Sequence, residues 1–270
     1  MVEHGRLVQG RRALRGGGFL STGGVREFYE AGYTQADPAE ALRLGRWRAL
    51  GARSKAAHVR ALCAQAGLRP ASLVELGCGD GALLARLRGL AEVLDGFELS
   101  PQAAELARRA VPDARRIEAY DGSRVPAADG AYELAILSHV LEHVPDPAPL
   151  LAEAARLAPW VLVEVPLEAN RSAARPAKRA EAARIGHLHA FDRAAVRALL
   201  AGAGLRAHGE LTDPLPYEHH AFFGRRGRAA AKWAVRAALH RLAPHAAERL
   251  FTVHYAVLAR GRALPTLRAS

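Results

Sequence analysis

Val74-Glu75-Leu76-Gly77-Cys78-Gly79-Asp80-Gly81 is the stretch on which the reading of this chain turns. An apolar run, Ser72 to Leu76, leads into three glycines at alternate positions, and Gly81 to Leu90 then carries a helical pattern. Glycines between a strand and a helix let the backbone turn sharply and let a ligand approach without Cβ obstruction. Two kinds of nucleotide cofactor are compatible with the loop taken alone. Gly77-x-Gly79-x-x-Ala82 fits the dinucleotide fingerprint, and an acid, Glu98, follows at about the right distance.

Outward from this loop, strands and helices alternate. Glu92 to Leu99 reads as a second strand, and Ser100-Pro101 opens a helix with Ser as N-cap and Pro at its first position. Ala114 to Ala119 and Tyr132 to Ser138 are the next strands, the latter apolar on both faces as a buried parallel strand must be. A helix from Asp146 to Ala158 leads into a fifth strand, Trp160 to Val165. A helix at Phe191 to Ala203 and strands at Leu205 to Leu211 and Phe251 to Ala259 close the pattern. Upstream, Val25 to Ala31 and Ala39 to Gly67 read as helical, with Arg69-Pro70 as the stop. This alternation predicts an α/β, Rossmann-like, doubly wound and mostly parallel seven-stranded sheet with helices on both faces.

Further motifs separate the two cofactor classes. Glu75 stands two residues before the first glycine, giving Glu-x-Gly-x-Gly-x-Gly, and the second strand ends in Phe97-Glu98-Leu99-Ser100. Tyr120-Asp121-Gly122, Ser138-His139-Val140-Leu141-Glu142-His143-Val144 and Gly186-His187-Leu188-His189-Ala190-Phe191 follow in order. Across roughly Leu73 to Glu210, this set resembles the class I S-adenosylmethionine-dependent methyltransferases of the small-molecule type, including quinone and natural-product enzymes. The resemblance implies S-adenosylmethionine as cofactor, held by Glu75, Gly77, Cys78, Gly79, Gly81, Glu98, Leu99, Asp121, Gly122 and Ser138. Glu98 would take the ribose hydroxyls, since a carboxylate accepts two hydrogen bonds, and Asp121 the adenine amino group. Tyr29 and Tyr33 resemble aromatics that close over the cofactor. Some quinone-pathway members bind a divalent metal at similar acid and histidine positions; only part of that pattern is recognisable, so no metal is expected. Tyr132-Glu133-Leu134 departs from the family's usual Phe-Asp-Val, a change expected to touch local structure more than the cofactor.

The implied reaction is in-line displacement of a methyl group onto an O, N or C acceptor. Histidine titrates in the range useful for taking an acceptor's proton, and His139, His187 and His189 are the catalytic candidates. His219 and His220 belong to the same histidine-rich region. Each of these histidines has a plainer reading as a residue that orients a loop.

The net charge of +11 raises the question of nucleic acid. Residues 1–20 hold four arginines and one acid, and residues 224–270 hold ten basic residues and one acid, leaving −1 for 21–223. The excess therefore sits at the two ends, and nucleic acid is a disfavoured partner. Only three of 38 basic residues are lysine, which fits the coding bias of a GC-rich bacterial genome. The expected organisation is a basic arm (1–24) and one methyltransferase domain (25–262), followed by a tail (263–270). The domain comprises N-terminal helices (25–68), a cofactor-binding half (72–166), a polar substrate lid (167–190) and a basic helix (227–243). Arg228, Lys232, Arg236 and His240 form a stripe on that helix, a solvated face or a docking surface for anionic membrane or an acidic partner. Two cysteines, Cys63 and Cys78, exclude a disulfide framework, and with no apolar span or signal-like stretch the expected location is cytoplasmic. The competing readings are an RNA or DNA methyltransferase, a NAD-dependent oxidoreductase and a catalytically idle cofactor-binding relative.

Overall fold

The computed structural model describes Glu27, Glu30 and residues 32–34, 37–222, 224 and 226–261. The arm (1–24), the tail (263–270), Phe28 and Tyr29 lie outside the described residues. In chain order the elements are α1 (Pro38–Gln65), β1 (Ser72–Leu76), α2 (Ala82–Leu87), β2 (Val93–Glu98), α3 (Pro101–Ala110), β3 (Arg116–Ala119) and β4 (Leu134–Ser138). A 3-10 turn (Leu141–His143) precedes α4 (Pro147–Leu157), β5 (Trp160–Leu167), α5 (Pro176–Arg184) and α6 (Arg193–Gly202). β6 (Arg206–Asp213), α7 (Tyr217–Phe222), α8 (Arg226–Leu242), α9 (Pro244–Leu250) and β7 (Val253–Arg260) complete the chain.

The seven strands form one sheet in the order β3-β2-β1-β4-β5-β7-β6. β1 to β5 are parallel, and β7 runs antiparallel between β5 and β6. This is the doubly wound α/β architecture expected from the sequence. Its strand order reverses between β1 and β4, and the crevice beyond the carboxyl ends of those two strands is where such sheets hold ligands.

The period-2 alternation of strand side chains decides what each face carries. Val74, Leu76, Val161, Val163 and Val165 pack on one side of the sheet. Leu73, Leu162, Ala256 and Leu258 pack on the other, with Val59 and Leu62 of α1. Glu75, Glu164 and His254 share the parity of this second set, so three polar groups emerge on the face that α1 covers. Lys55, His58 and Leu62, three or four residues apart, form one stripe of α1, and the helix brings its two polar members to that face.

Local boundaries follow side-chain chemistry. Asp37, Ser100, Asp146 and Asp192 cap α1, α3, α4 and α6 by accepting backbone amides. α1 is one continuous helix, and it closes at Gly67 (φ 63°), where Leu68 N–H donates to Cys63 O at 2.8 Å, upstream of Pro70. The 167–190 stretch is not loop throughout: α5 occupies its middle. Its base is fixed by buried Asn170, which donates to Leu167 O and accepts from Ala173 N–H, and by Arg171 and Ser172 amides bonded to the end of α9. Pro244 ends α8 and sits in the first turn of α9.

The basic stripe of α8 does not face solvent along its length. Arg228 and Lys232 are exposed. The Arg236 guanidinium instead donates to Thr252 O and lies 4.0 Å over the Phe251 ring, and His240 Nε2 meets Thr212 Oγ1 at 2.8 Å. Helical spacing placed the four on one side, and that side turns inward where α8 reaches the end of the sheet.

Candidate active site

The glycine loop leaves β1 with Gly77, Gly79 and Gly81 all in the left-handed region (φ 78°, 55° and 75°). At Gly77 a Cβ would lie 2.6 Å from Val140 Cγ2, and at Gly79 it would lie 2.8 Å from the Tyr33 hydroxyl. The backbone conformation therefore demands glycine at both positions, and at Gly77 the Val140 side chain closes the space as well. Glu98, at the end of β2, is buried, and each of its oxygens takes one amide: Gly79 N–H at 2.8 Å and Ser100 N–H at 3.0 Å. Burial raises its pKa, against the pull of those amides.

Beneath the loop, Glu75 is buried with Oε2 lacking any hydrogen-bond partner. Burial raises its carboxyl pKa to about 8, although Lys55 opposes the shift. Over the loop, Arg48 of α1 donates to Asp80 Oδ2 at 2.5 Å, and its guanidinium lies 4.9 Å from the Tyr33 ring centre. Glu30 reaches Ser100 Oγ from the same N-terminal segment. A cavity of about 350 Å³, lined by Gly32, Tyr33, Ala41, Leu44, Arg48 and Asp80, opens here.

The other expected cofactor residues lie at or just beyond the carboxyl ends of β2, β3 and β4. Leu99 is half-buried, and Ser138 is buried with its hydroxyl unpartnered. Asp121 is exposed and accepts from Ser123 N–H (2.8 Å) and Oγ–H (2.6 Å), which hold its carboxyl below the usual range; Gly122 follows at φ 84°. Cys78 is buried, and burial raises its thiol well above the usual range, which argues against a nucleophilic thiolate. The Tyr132-Glu133 departure is local: Tyr132 O–H donates to Asp95 at 2.5 Å, and Glu133 accepts the Ala71 amide at 2.7 Å.

A second polar assembly occupies the ends of β4, β5 and β7. His139 directly follows β4 with φ 58°, a left-handed conformation that a side chain rarely adopts. Its amide donates to Glu164 O at 2.8 Å, prolonging the β4–β5 ladder by one residue. Its Nδ1 lies 3.1 Å from Glu142 Oε1 and its Nε2 lies 3.6 Å from Glu164 Oε1. The next residue, Val140, is the one that closes on Gly77, so His139 borders the glycine loop. His254 Nδ1 approaches Glu164 Oε1 to 3.4 Å, and its ring centre lies 4.3 Å from that of His139. His58 joins from α1, with Nδ1 3.2 Å from Glu164 and Nε2 3.2 Å from Asp213. Burial alone would depress His58, but these two carboxylates raise its pKa to about 9.

Around Glu142 lie His143 and His187. Burial would raise Glu142, yet His139, His143 and His187 together bring it down to about 2. His143 Nδ1 meets Gly186 O at 3.1 Å, and burial lowers its pKa to about 4. His187 Nδ1 pairs with Glu168 Oε2 at 2.7 Å. His189, read from the sequence as a candidate base, holds Val144 O and Pro145 O through Nε2 at 2.9 and 3.2 Å and stacks on Phe191. With that nitrogen committed to carbonyls, it fastens the returning end of the 167–190 stretch to the loop before α4. His219 is buried against the edge of Trp47 with neither ring nitrogen bonded.

The sequence reading overlooked His58, Glu164, Asp213 and His254. One signal was available: Glu164 interrupts an otherwise apolar strand, and His254 stands near the start of a strand that is apolar and buried up to its terminal Arg260. Such groups persist only where something compensates them.

A glycine loop at the switch point of this sheet, beside a buried acid ending β2, defines the class I methyltransferase type of α/β fold. The model of the family described as methyltransferase domain matches residues 47–209, and the chain belongs to that family. Among curated relatives, the ubiquinone biosynthesis O-methyltransferase of Thiobacillus denitrificans is 30% identical over 97 residues, 34% of this chain and 42% of that protein. The chain spans less than half the length of the curated relatives it matches. Among solved structures, one similar chain comes from the complex of the Haloferax volcanii Trm112 methyltransferase activator with a methyltransferase. It is 17% identical with a TM-score of 0.60, covering 89% of this chain and 99% of that one. Geranyl diphosphate C-methyltransferase from Streptomyces coelicolor A3(2), solved with Mg2+, geranyl diphosphate and S-adenosyl-L-homocysteine, is 15% identical with a TM-score of 0.54. The match covers 71% of this chain and 72% of that one. At these identities the likeness to both structures is one of fold.

Proposed function

We propose that this chain transfers a methyl group from S-adenosylmethionine to an O, N or C atom of a small-molecule acceptor. The observation that carries the reading is the left-handed loop Gly77–Gly81 with the Glu98 carboxylate fixed against the Gly79 amide at 2.8 Å. The residues fit the cofactor: the loop admits a ligand against its backbone, and Glu98 offers a buried carboxylate beside it for a diol. Glu75 has an orphaned oxygen suited to an ammonium group, and Leu99, Asp121, Gly122 and Ser138 complete the enclosure. When bound, the cofactor supplies a methyl already activated on a sulfonium, so the protein's work is to align reactants and exclude water.

On the acceptor side we assign the contact with the reacting atom to the assembly that His139 leads, between Glu142 and Glu164. His187 and His189 hold the lid against this assembly. The 25–262 stretch is proposed as one catalytic unit. Its setting is proposed as the bacterial cytoplasm, supported by the arginine-biased composition and two free cysteines; no helix among the described residues is long and apolar enough to cross a membrane. The exposed part of α8, with Arg228, Lys232 and Trp233, is proposed as a contact for an anionic membrane or an acidic partner.

The test is incubation with methyl-labelled S-adenosylmethionine and panels of small phenols, amines and carbon acids, with RNA and DNA in parallel. Release of S-adenosylhomocysteine matched by label in a small acceptor is expected. Label confined to nucleic acid, or hydride transfer with NAD instead, would overturn the proposal.

A further inference from the structure

The assembly around Glu164 differs from an ordinary buried ion pair. Three imidazole nitrogens surround one carboxylate oxygen, with His58 Nδ1 at 3.2 Å, His254 Nδ1 at 3.4 Å and His139 Nε2 at 3.6 Å from Oε1. His58 is accounted for, because it bridges Glu164 and Asp213. The remaining atoms are not: His139 Nε2, His254 Nδ1 and Glu164 Oε2 are buried without a hydrogen-bond partner among the described residues, and Glu164 is fully buried. Buried polar atoms are nearly always satisfied, so two orphaned nitrogens facing Oε1 of a carboxylate whose Oε2 is also unpartnered require a cause. Proton placement sharpens the point. His139 Nδ1 faces Glu142 Oε1 at 3.1 Å, and a proton on Nδ1 leaves the Nε2 lone pair directed at an anionic oxygen. A cation between them removes that repulsion.

We propose that His139 Nε2, Glu164 and His254 Nδ1 bind one divalent first-row transition cation on the acceptor side of the site. All three donor atoms lie within 4.8 Å of one another. Bonds of about 2.0–2.2 Å at tetrahedral to octahedral angles place donors roughly 3–3.5 Å apart, close to the spacing seen. Two imidazoles and one carboxylate suit a zinc-like or iron-like ion better than Mg2+ or Ca2+, which prefer oxygen. Glu142 then acquires a role, as the carboxylate that fixes the outer Nδ1–H of a ligating histidine. Three protein ligands leave a position for an acceptor oxygen, whose proton a bound cation makes easier to lose.

A neighbouring group, Glu142, His143 and His187, also has ligand atoms within 4.8 Å. There both histidine Nδ1 atoms hold Gly186 O and Glu168, which leaves Nε2 as the ligand atom of each. Both Glu142 oxygens are unpartnered, but no nitrogen of His143 or His187 is among the buried unpartnered atoms, as His139 Nε2 and His254 Nδ1 are. The orphaned nitrogens therefore favour the Glu164 group, which departs from the metal-free site expected from the sequence. Cation binding stands apart from the proposed methyl transfer; only the role in activating an acceptor rests on it.

The experiment is titration of chelator-treated full-length protein with Co2+ and Zn2+, read by visible d–d absorption and by calorimetry. Wild type, His254→Gln, Glu164→Gln and His187→Gln are compared, with S-adenosylmethionine binding measured on the same samples. One equivalent bound by wild type and by His187→Gln is expected. Affinity should fall at least the roughly 10–100-fold that loss of a supporting partner costs in His254→Gln and Glu164→Gln. No binding by wild type, equal affinity in His254→Gln, or loss confined to His187→Gln would each overturn the assignment. Should the first two variants fail to fold, X-ray absorption at the zinc edge of wild type and His187→Gln decides. A shell of two imidazoles with oxygen in both proteins supports the site; an all-oxygen shell, or one that loses an imidazole in His187→Gln, contradicts it. Failure of cofactor binding with cation binding intact would count against the methyl-transfer reading alone.

Discussion

The two sides of the crevice are built on opposite plans. On the cofactor side, one short segment supplies the loop, and Glu98 satisfies both carboxylate oxygens with backbone amides. On the side proposed for the acceptor, residues 58, 139, 164, 213 and 254 come from a helix and four strands or strand ends, and several of their polar atoms have no partner among the described residues. A site made from backbone conformation is rigid before its ligand arrives. One made from buried charges depends on every member being present.

The largest expected effect breaks the acceptor side. Glu164→Ala leaves the His58 charge facing Asp213 alone and removes the hub of three imidazoles; a loss of about 3–5 kcal/mol in unfolding free energy is expected by denaturant titration. A loss below about 1 kcal/mol would show that the cluster is not the interdependent unit described here. Gly77→Ala is the matching disruption opposite. Its Cβ would meet Val140 Cγ2 at 2.6 Å in a left-handed conformation, so a loss of about 1–3 kcal/mol is expected, together with weakened cofactor binding.

The contrast can also be sharpened by pH. Glu75 carries a pKa raised to about 8 in the folded state, so the folded protein holds a proton that the unfolded chain releases nearer 4.5. Its contribution to stability is therefore present at low pH and lost as pH rises through 8. Melting curves from pH 5 to 8.5 should show Glu75→Gln gaining steadily on wild type; parallel curves would refute the burial argument. A smaller effect is expected for His189→Ala, about 1 kcal/mol from its lost carbonyl contacts, with faster proteolysis across 176–184 and turnover reduced less than about tenfold. A 1,000-fold fall in turnover would restore His189 as a base. Arg228→Glu with Lys232→Glu should change stability by no more than about 0.5 kcal/mol, and vesicle co-sedimentation then tests the surface role alone.

The same contrast explains what was legible in the sequence. Left-handed glycines and an acid 17 residues beyond the last of them, Glu98, leave a local signature, so the fold and the pairing of loop with acid could be read directly. The capped helix starts were equally local, as at Ser100-Pro101. The Glu164 assembly draws on positions nearly two hundred residues apart, which only the sheet order and the α1 crossing bring together. His139 was found because it lies in a recognisable segment after β4, but its partners were not. His189 shows a related limit, since sequence places a histidine near the site but not that carbonyls occupy its Nε2. The basic stripe failed similarly at Arg236 and His240, where helical spacing gave a shared side but not which way that side faced.

The methyl transfer proposed for this chain depends on the loop and Glu98 holding S-adenosylmethionine. The decisive measurement is calorimetric titration of S-adenosylmethionine, S-adenosylhomocysteine and NAD into wild type and Glu98→Ala. The expectation is micromolar binding of both sulfur compounds to wild type, loss of that binding in a folded Glu98→Ala protein, and no heat with NAD. Well-folded wild type that ignores both sulfur compounds, or that binds NAD in their place, would contradict it.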